Sequence, residues 1–279
     1  MALRVAYFGP AGTYTEAAAL QYAPQGELLP FPTIAAVYQA VAEQRADEGV
    51  LPIENSLEGS VNITLDLLIS RADLSIAHEI VLPIDHCLMV RPGTEVAAVR
   101  VIYSHPQSLA QCRGYLERNF PQAQATASLS NSAAVADMQA SPVTAAAIAP
   151  QRAAELYGAE IVDRGIQDSP NNVTRFVVLA RADHEPTGQD KTSICFSFNQ
   201  DSPGVLYDAL GVFAQRKINL AKIESRPTRE SLGRYNFLID IEGHRTEPLL
   251  REALLSLGQQ VSLLKVLGSY PRWNPQQPR

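Results

Sequence analysis

The chain has 279 residues, 46% hydrophobic and 19% charged, which is enough apolar content for a sizeable core and a length that predicts about two domains. Twenty-three Lys and Arg against 29 Asp and Glu leave a net charge of -6, with no basic run able to follow a phosphate backbone, so nucleic acid is excluded as a partner. No stretch could span a bilayer and the N-terminus shows no signal-peptide pattern, which predicts a cytoplasmic protein with no membrane partner. In chain order, short apolar strands alternate with amphipathic helices through residues 1–182: RVAYFG, a helix from Thr13, ELLPF, a helix from Thr33, EGVLPI, the run VNITLDLLIS and a long extended stretch over 74–90. The pattern resumes with VRVIYS, a helix through Leu109 and Leu116, ATASL, a helix through Val135, TAAAIA and finally FVVLA. Such alternation predicts α/β architecture with parallel sheets covered by helices on both faces, and ligands at the carboxyl ends of the strands. The polar stretch RADHEPTGQDK, 181–191, predicts a linker. Residues 190–272 then read strand, helix, strand, strand, helix, strand, a ferredoxin-like βαββαβ unit whose first helix Ser202 caps with Pro203 at its first position. Cys87, Cys112 and Cys195 are odd in number and far apart, which fits buried thiols rather than disulfides or a zinc site.

Four loops carry more polar chemistry than packing requires. GPAGTYTEAA, 9–18, has capping-box spacing between Thr13 and Glu16, and a Gly-rich turn entering a helix is also an anion site, so Thr13 reads as cap and ligand contact together. PIENSLEGSV, 52–61, crowds Glu54, Asn55, Ser56, Glu58 and Ser60 into a strand-to-helix connection. SHPQSLAQC, 104–112, places Ser104, His105 and Gln107 in a turn and Gln111 on the helix that follows. His105 alone reads as a turn or capping residue, and no nucleophile motif accompanies it. QDSPNNVTRFVVLAR, 167–181, ends a turn-forming run with Asn172, Thr174 and Arg175 at the mouth of a buried strand that starts with Phe176. Adjacent strand residues face opposite ways, so Thr174 and Arg175 do not both face a ligand. Arg175 therefore either anchors a carboxylate or pairs with Glu54 or Asp168.

Together with NSAAVA at 131–136 and IESRP at 223–227, these motifs stand in the order found in prephenate dehydratases, and the chain resembles that family over nearly its whole length. Tyr14, Thr15 and Val205 depart from the family's usual Phe, Ser and Ala. The resemblance implies two α/β lobes like those of periplasmic solute-binding proteins, with the active site between them, followed by an ACT domain that binds phenylalanine and lowers activity. It implies loss of carbon dioxide and hydroxide from prephenate to give phenylpyruvate, with no metal or organic cofactor. Thr174 is the residue it ties most closely to dehydration. It makes Asn55, Ser104, Gln111 and Glu54 catalytic contacts and Thr13, Ser56, His105, Gln107, Asn172, Arg175 and Phe176 substrate contacts. Whether water, His105 or Glu54 handles the proton stays open. The effector would meet Asp201, Pro203, Gly204, Val205, Leu206, Glu224, Ser225, Arg226 and Pro227, at an interface between ACT domains of a homodimer or homotetramer. With no chorismate mutase-like helix ahead of Leu3, the chain reads as monofunctional. Arogenate dehydratase and a non-catalytic amino-acid sensor are the alternatives.

Overall fold

A computed structural model describes residues 2–200, 202–228 and 233–274. The elements run β1 (Arg4–Phe8), α1 (Tyr14–Tyr22), β2 (Glu27–Phe31), α2 (Ile34–Ala42), β3 (Glu48–Asn55), β4 (Gly59–Ser60), α3 (Asn62–Ser70) and β5 (Ser75–Pro83). Then come β6 (Cys87–Val90), β7 (Val101–Ser104), α4 (Pro106–Gln111), α5 (Arg113–Asn119), β8 (Gln124–Ala127), α6 (Asn131–Ala140), β9 (Ala145–Ala149), α7 (Gln151–Tyr157) and β10 (Glu160–Arg164). The chain continues through β11 (Val173–Ala180), β12 (Asp190–Ser197), α8 (Val205–Ala214), β13 (Leu220–Pro227), β14 (Tyr235–Glu242), α9 (Pro248–Gly258) and β15 (Leu263–Pro271).

Three sheets organise these elements. The first lobe has strand order β2-β1-β3-β11-β5, the second β10-β6-β9-β7-β8, and the third sheet, β13-β14-β12-β15, has the ferredoxin-like topology. Each lobe sheet is mixed rather than parallel. β2, β1 and β3 run parallel, while β11 enters between β3 and β5 antiparallel to both. In the second lobe β8, β7 and β9 are parallel, β6 runs antiparallel to β9, and β10 at the edge runs antiparallel to β6. The reason is the chain path. It leaves the first lobe after β5 and returns after β10, so β11 re-enters from the opposite end. The 74–90 stretch is accordingly two strands in different sheets, broken at Ile84-Asp85-His86 after Pro83. These two crossings clasp each other, since Ile84 N donates to Asn172 O at 2.8 Å and Ile166 N to His86 O at 3.2 Å.

The third sheet packs directly on the first lobe. Cys195, Leu238, Leu267 and Tyr270 share one core with Val177, Leu179, Leu65 and Ile76. Gly268, at φ +150°, lets β15 lie against the backbone of Ile76, where any Cβ would collide. Lys265 Nζ donates to Leu68 O at 2.7 Å, Ile69 O at 3.1 Å and Arg71 O, covering the carbonyl end of α3 where a cation is favoured. All three cysteines are buried and unpaired. Among the described residues no helix is long and apolar enough to cross a membrane. The first helix of the third unit begins later than its capping pattern predicts: Gly204, at φ +94°, is the residue before α8, and Ser202 contributes its carbonyl to Val205 N at 3.3 Å rather than its hydroxyl.

Candidate active site at the lobe junction

Because β11 is antiparallel to β3, its first residues meet the carboxyl end of that strand, where ligand-binding loops of α/β sheets lie. The register pairs Thr174 with Asn55 and Arg175 with Glu54. Strand alternation then turns the first pair to one face and the second to the other. On the face of the Thr174–Asn55 pair, Asn55 Oδ1 accepts from the backbone N–H groups of Leu57 and Glu58 at 2.9 and 3.0 Å. Its Nδ2 therefore points the other way and donates to Thr174 Oγ1 at 2.9 Å, Asn172 Oδ1 at 2.8 Å and Val173 O at 3.1 Å. Asn172 Nδ2 donates in turn to Gln111 Oε1, across the lobe boundary, at 3.0 Å. Gln111 Oε1 is also 2.9 Å from His86 Nε2, and His86 Nδ1 is 3.0 Å from the Tyr14 hydroxyl. Thr174 is 9% exposed and Asn172 1%, so these bonds are shielded from water and worth more than at the surface.

Several predicted residues lie in supporting positions around this core. Ser56 is exposed; its hydroxyl donates to Asn171 O at 3.1 Å and accepts from Val173 N at 3.0 Å, pinning the 171–173 turn. Thr13 caps α1 by accepting from Glu16 N at 3.3 Å, while Glu16 Oε2 reaches Gly12 N at 2.6 Å, one residue earlier than a reciprocal box. His105 caps α4: its Nδ1 accepts from Gln107 N at 3.3 Å, which leaves the neutral ring's proton on Nε2 and makes Gln107 part of the same turn. Burial pushes the His105 pKa down, so the ring stays neutral near pH 7 and has no free basic nitrogen.

Four assignments change. Ser104 is fully buried, and its hydroxyl donates to Ile148 O at 2.7 Å, tying β7 to β9 inside the second lobe. Asn131, from the NSAAVA motif, gathers that turn by accepting from Ser108 Oγ at 2.9 Å and His105 N at 3.3 Å. Phe176, 1% exposed, belongs to the first-lobe core with Val5, Tyr7 and Ile80, because a residue inside β11 covered by α1 cannot reach solvent. Arg175 faces the third sheet. It pairs with Asp240 at 2.6 Å, Glu79 at 2.8 Å and Glu54 at 3.5 Å, and donates to the Tyr270 hydroxyl at 2.7 Å. Glu54 leaves the cleft for the same reason of parity and also meets Lys222 at 3.1 Å. Asp168, the other partner considered for Arg175, instead accepts from Gly114 N and Tyr115 N at 2.9 and 3.2 Å at the start of α5. The residues that sequence reading missed are His86 and Tyr14. The cue for His86 was a Pro followed by Asp-His inside an otherwise apolar run, a polar interruption where a strand should continue.

The effector segments divide in the same way. Asp201 lies outside the described residues. Gly204, Val205 and Leu206 line a hollow of about 290 Å3 with Tyr235 and Phe237, and Pro203 sits in the turn beside it. None of the IESRP residues joins that wall. On β13, an edge strand, Ser225 and Pro227 point outward, whereas Glu224 and Arg226 are turned to the first lobe. Glu224 accepts from Ser60 Oγ at 2.5 Å and Arg226 pairs with Asp66 of α3 at 2.7 Å. Two of the predicted effector contacts are therefore already engaged in holding the domains together.

Comparison with known proteins matches this architecture. The prephenate dehydratase family covers residues 5–184 and the ACT domain family residues 193–259. A bifunctional chorismate mutase/prephenate dehydratase of Aquifex aeolicus is 44% identical over 272 residues, covering 97% of this chain and 74% of the relative. An arogenate dehydratase/prephenate dehydratase of Arabidopsis thaliana, a chloroplastic protein, is 41% identical over 283 residues, covering 96% of this chain and 73% of the relative. Among solved structures, prephenate dehydratase of Arthrobacter aurescens in complex with L-Phe superposes with a TM-score of 0.89 at 36% identity, over 97% of this chain and 90% of that one. The chain belongs to the prephenate dehydratase family and carries an ACT domain behind its two catalytic lobes.

Proposed function

We propose that the lobe junction converts prephenate to phenylpyruvate, with the Thr174 hydroxyl donating to the departing group. The ring carbon–carboxylate bond breaks and releases carbon dioxide; its electron pair enters the ring, which becomes aromatic as the opposite carbon–oxygen bond breaks and hydroxide leaves with that bond's electrons. A proton from solvent completes the water. One observation carries this reading: Asn55 Nδ2 donates into Thr174 Oγ1, so the single Thr174 proton is directed elsewhere, and no protein acceptor takes it among the described residues. A hydroxyl is a poor acid, and its contribution is a hydrogen bond to charge that develops only as the bond breaks. No Lys or Arg bonds to Asn55, Gln111, Asn172 or Thr174 among the described residues. A site of neutral donors suits a carboxylate that must leave, because a tight ion pair would stabilise the ground state. The test is direct: purified protein incubated with prephenate yields phenylpyruvate, and incubated with arogenate yields little phenylalanine. Product from neither substrate overturns the reading, and faster turnover of arogenate replaces the substrate.

We further propose that phenylalanine acts through the ACT domain of a homo-oligomer. The hollow beside Gly204 offers backbone donors at a helix start, and the outward face of the β13 edge supplies a second wall when two copies meet. The complex of the Arthrobacter aurescens relative with L-Phe supports this reading.

A further inference from the structure

We propose that His86 is a positioning residue for Gln111, fixing the amide's orientation by donating from Nε2 to Oε1. This rests on the reading of the lobe junction as the reaction site. The argument is one of donors and acceptors, and its direction is set at one end. Two backbone N–H groups, of Leu57 and Glu58, leave Asn55 no choice but to accept with Oδ1 and donate with Nδ2. Asn172 must then accept from Asn55 with Oδ1 and donate with Nδ2, which makes Gln111 Oε1 an acceptor. An acceptor 2.9 Å from His86 Nε2 requires the proton on that nitrogen. His86 Nδ1 is then a lone pair facing the Tyr14 hydroxyl at 3.0 Å, and the one Tyr14 proton, donated to Asp85 O at 2.8 Å, is shared with that nitrogen. Tyr14 keeps its proton, because burial pushes its pKa well above the usual phenol range. His86 itself is 1% exposed, and its backbone is held by Gln167 Oε1 at 2.9 Å and by the Ile166 amide, so the ring is fixed at the crossing between lobes. With Oε1 held twice, Gln111 Nε2 is turned toward the first lobe, where Glu58 Oε1 lies at a loose 3.4 Å, and is available to a ligand. His86 touches none of the reacting atoms in this scheme; it acts through Gln111.

The tautomer tests the hydrogen-bond assignment without any variant. Nitrogen NMR of histidine-labelled protein at neutral pH is expected to show His86 protonated on Nε2, and a ring protonated on Nδ1 overturns the proposal. Wild-type turnover of prephenate separately tests the reading on which the proposal rests. For the catalytic consequence, His86→Leu is expected to lower kcat by about 10- to 100-fold, the scale for a misplaced reacting geometry, with a smaller change in KM. His86→Gln, which returns an N–H donor at similar reach, is expected to recover most of that loss. In a Gln111→Ala background, His86→Leu should lower kcat no further than about 2-fold, since residues acting through one another are not additive. Full additivity, or a His86→Leu enzyme that melts normally and turns over at the wild-type rate, overturns the positioning role. If His86→Leu does not fold, His86→Gln and the tautomer decide.

Discussion

At Thr174 the hydroxyl oxygen accepts from Asn55 and no protein acceptor takes its proton among the described residues, so donor loss and donor redirection are separable experiments. Thr174→Val, which keeps shape and β-branching, is expected to cut turnover by about 100-fold, the usual scale for one transition-state donor, with the protein still folded and its melt lowered modestly by the lost Asn55 bond. Thr174→Ser should lose far less. A well-folded Thr174→Val enzyme working at near wild-type rate ends the claim. Asn55→Asp keeps the two contacts from Leu57 and Glu58 but turns a donor into an acceptor. The Thr174 proton then points inward, and kcat is expected to fall by a similar factor of about 100, with KM less affected; unchanged kcat would refute the orientation argument. Asn55, Gln111, Asn172 and Thr174 were each legible as polar groups out of place in their strands and helix starts. Arg175 stood beside Thr174 at the strand mouth, and Phe176, read as the start of a buried strand, entered the substrate set only through the family resemblance. Parity says only that neighbours part, not which of them meets the cleft.

At the level of elements, β11 decides the layout. One antiparallel strand carries Thr174 to the cleft and Arg175 to the ACT domain in adjacent residues. Arg175 keeps its charge in a buried setting through Asp240, Glu79 and Tyr270, with Lys191 meeting Glu79 at 2.8 Å from the second side. Burial alone would raise the Asp240 pKa, but the charges of Arg175 and Lys191 and the Ser193 hydrogen bond outweigh it and hold the carboxyl below its usual value of 3.8. A depressed folded-state value means that this stabilisation is complete above about pH 4 and is lost as pH falls through the folded pKa. Asp240→Asn is therefore expected to destabilise the protein at neutral pH by about 3 kcal/mol, as breaking one arm of a buried pair does, and to show a shallower loss of melting temperature below pH 4. Equal acid slopes in mutant and wild type would remove Asp240 as the cause. Most helices and strands and the βαββαβ order were legible from periodicity, but α7 and β10 were not assigned and the single helix read through Leu109 and Leu116 is two, α4 and α5. Strand direction was not: whether β11 runs with or against β3 depends on the chain's excursion through the second lobe, which leaves no local mark on the sequence.

In the whole molecule, the ACT domain reaches the Asn55–Thr174 cluster only through intermediaries among the described residues. β13 reaches Ser60 and Asp66 through Glu224 and Arg226, and Lys222 reaches Glu54, next to Asn55. Removing that link, as in Arg226→Ala, is expected to leave phenylalanine binding to the intact protein saturable in calorimetry while weakening its inhibition of turnover several-fold, within the usual range of coupling energies. Inhibition at wild-type strength would place the coupling elsewhere. Light scattering is expected to return a multiple of the 30.3 kDa chain mass, and a monomer at working concentration would refute assembly. Local chemistry, read along the chain, determined most of the elements, the polar loops and the family they resemble, because caps, turns and periodicity are properties of neighbours. Only the tertiary structure decided that Arg175 and Glu54 belong to the domain interface, that Ser104 lies inside the second lobe and that His86 stands beside Gln111. Those facts depend on which strands pair and which faces are covered, and residues as far apart as Asn55 and Thr174 become partners only when the two lobes and their crossings close on each other.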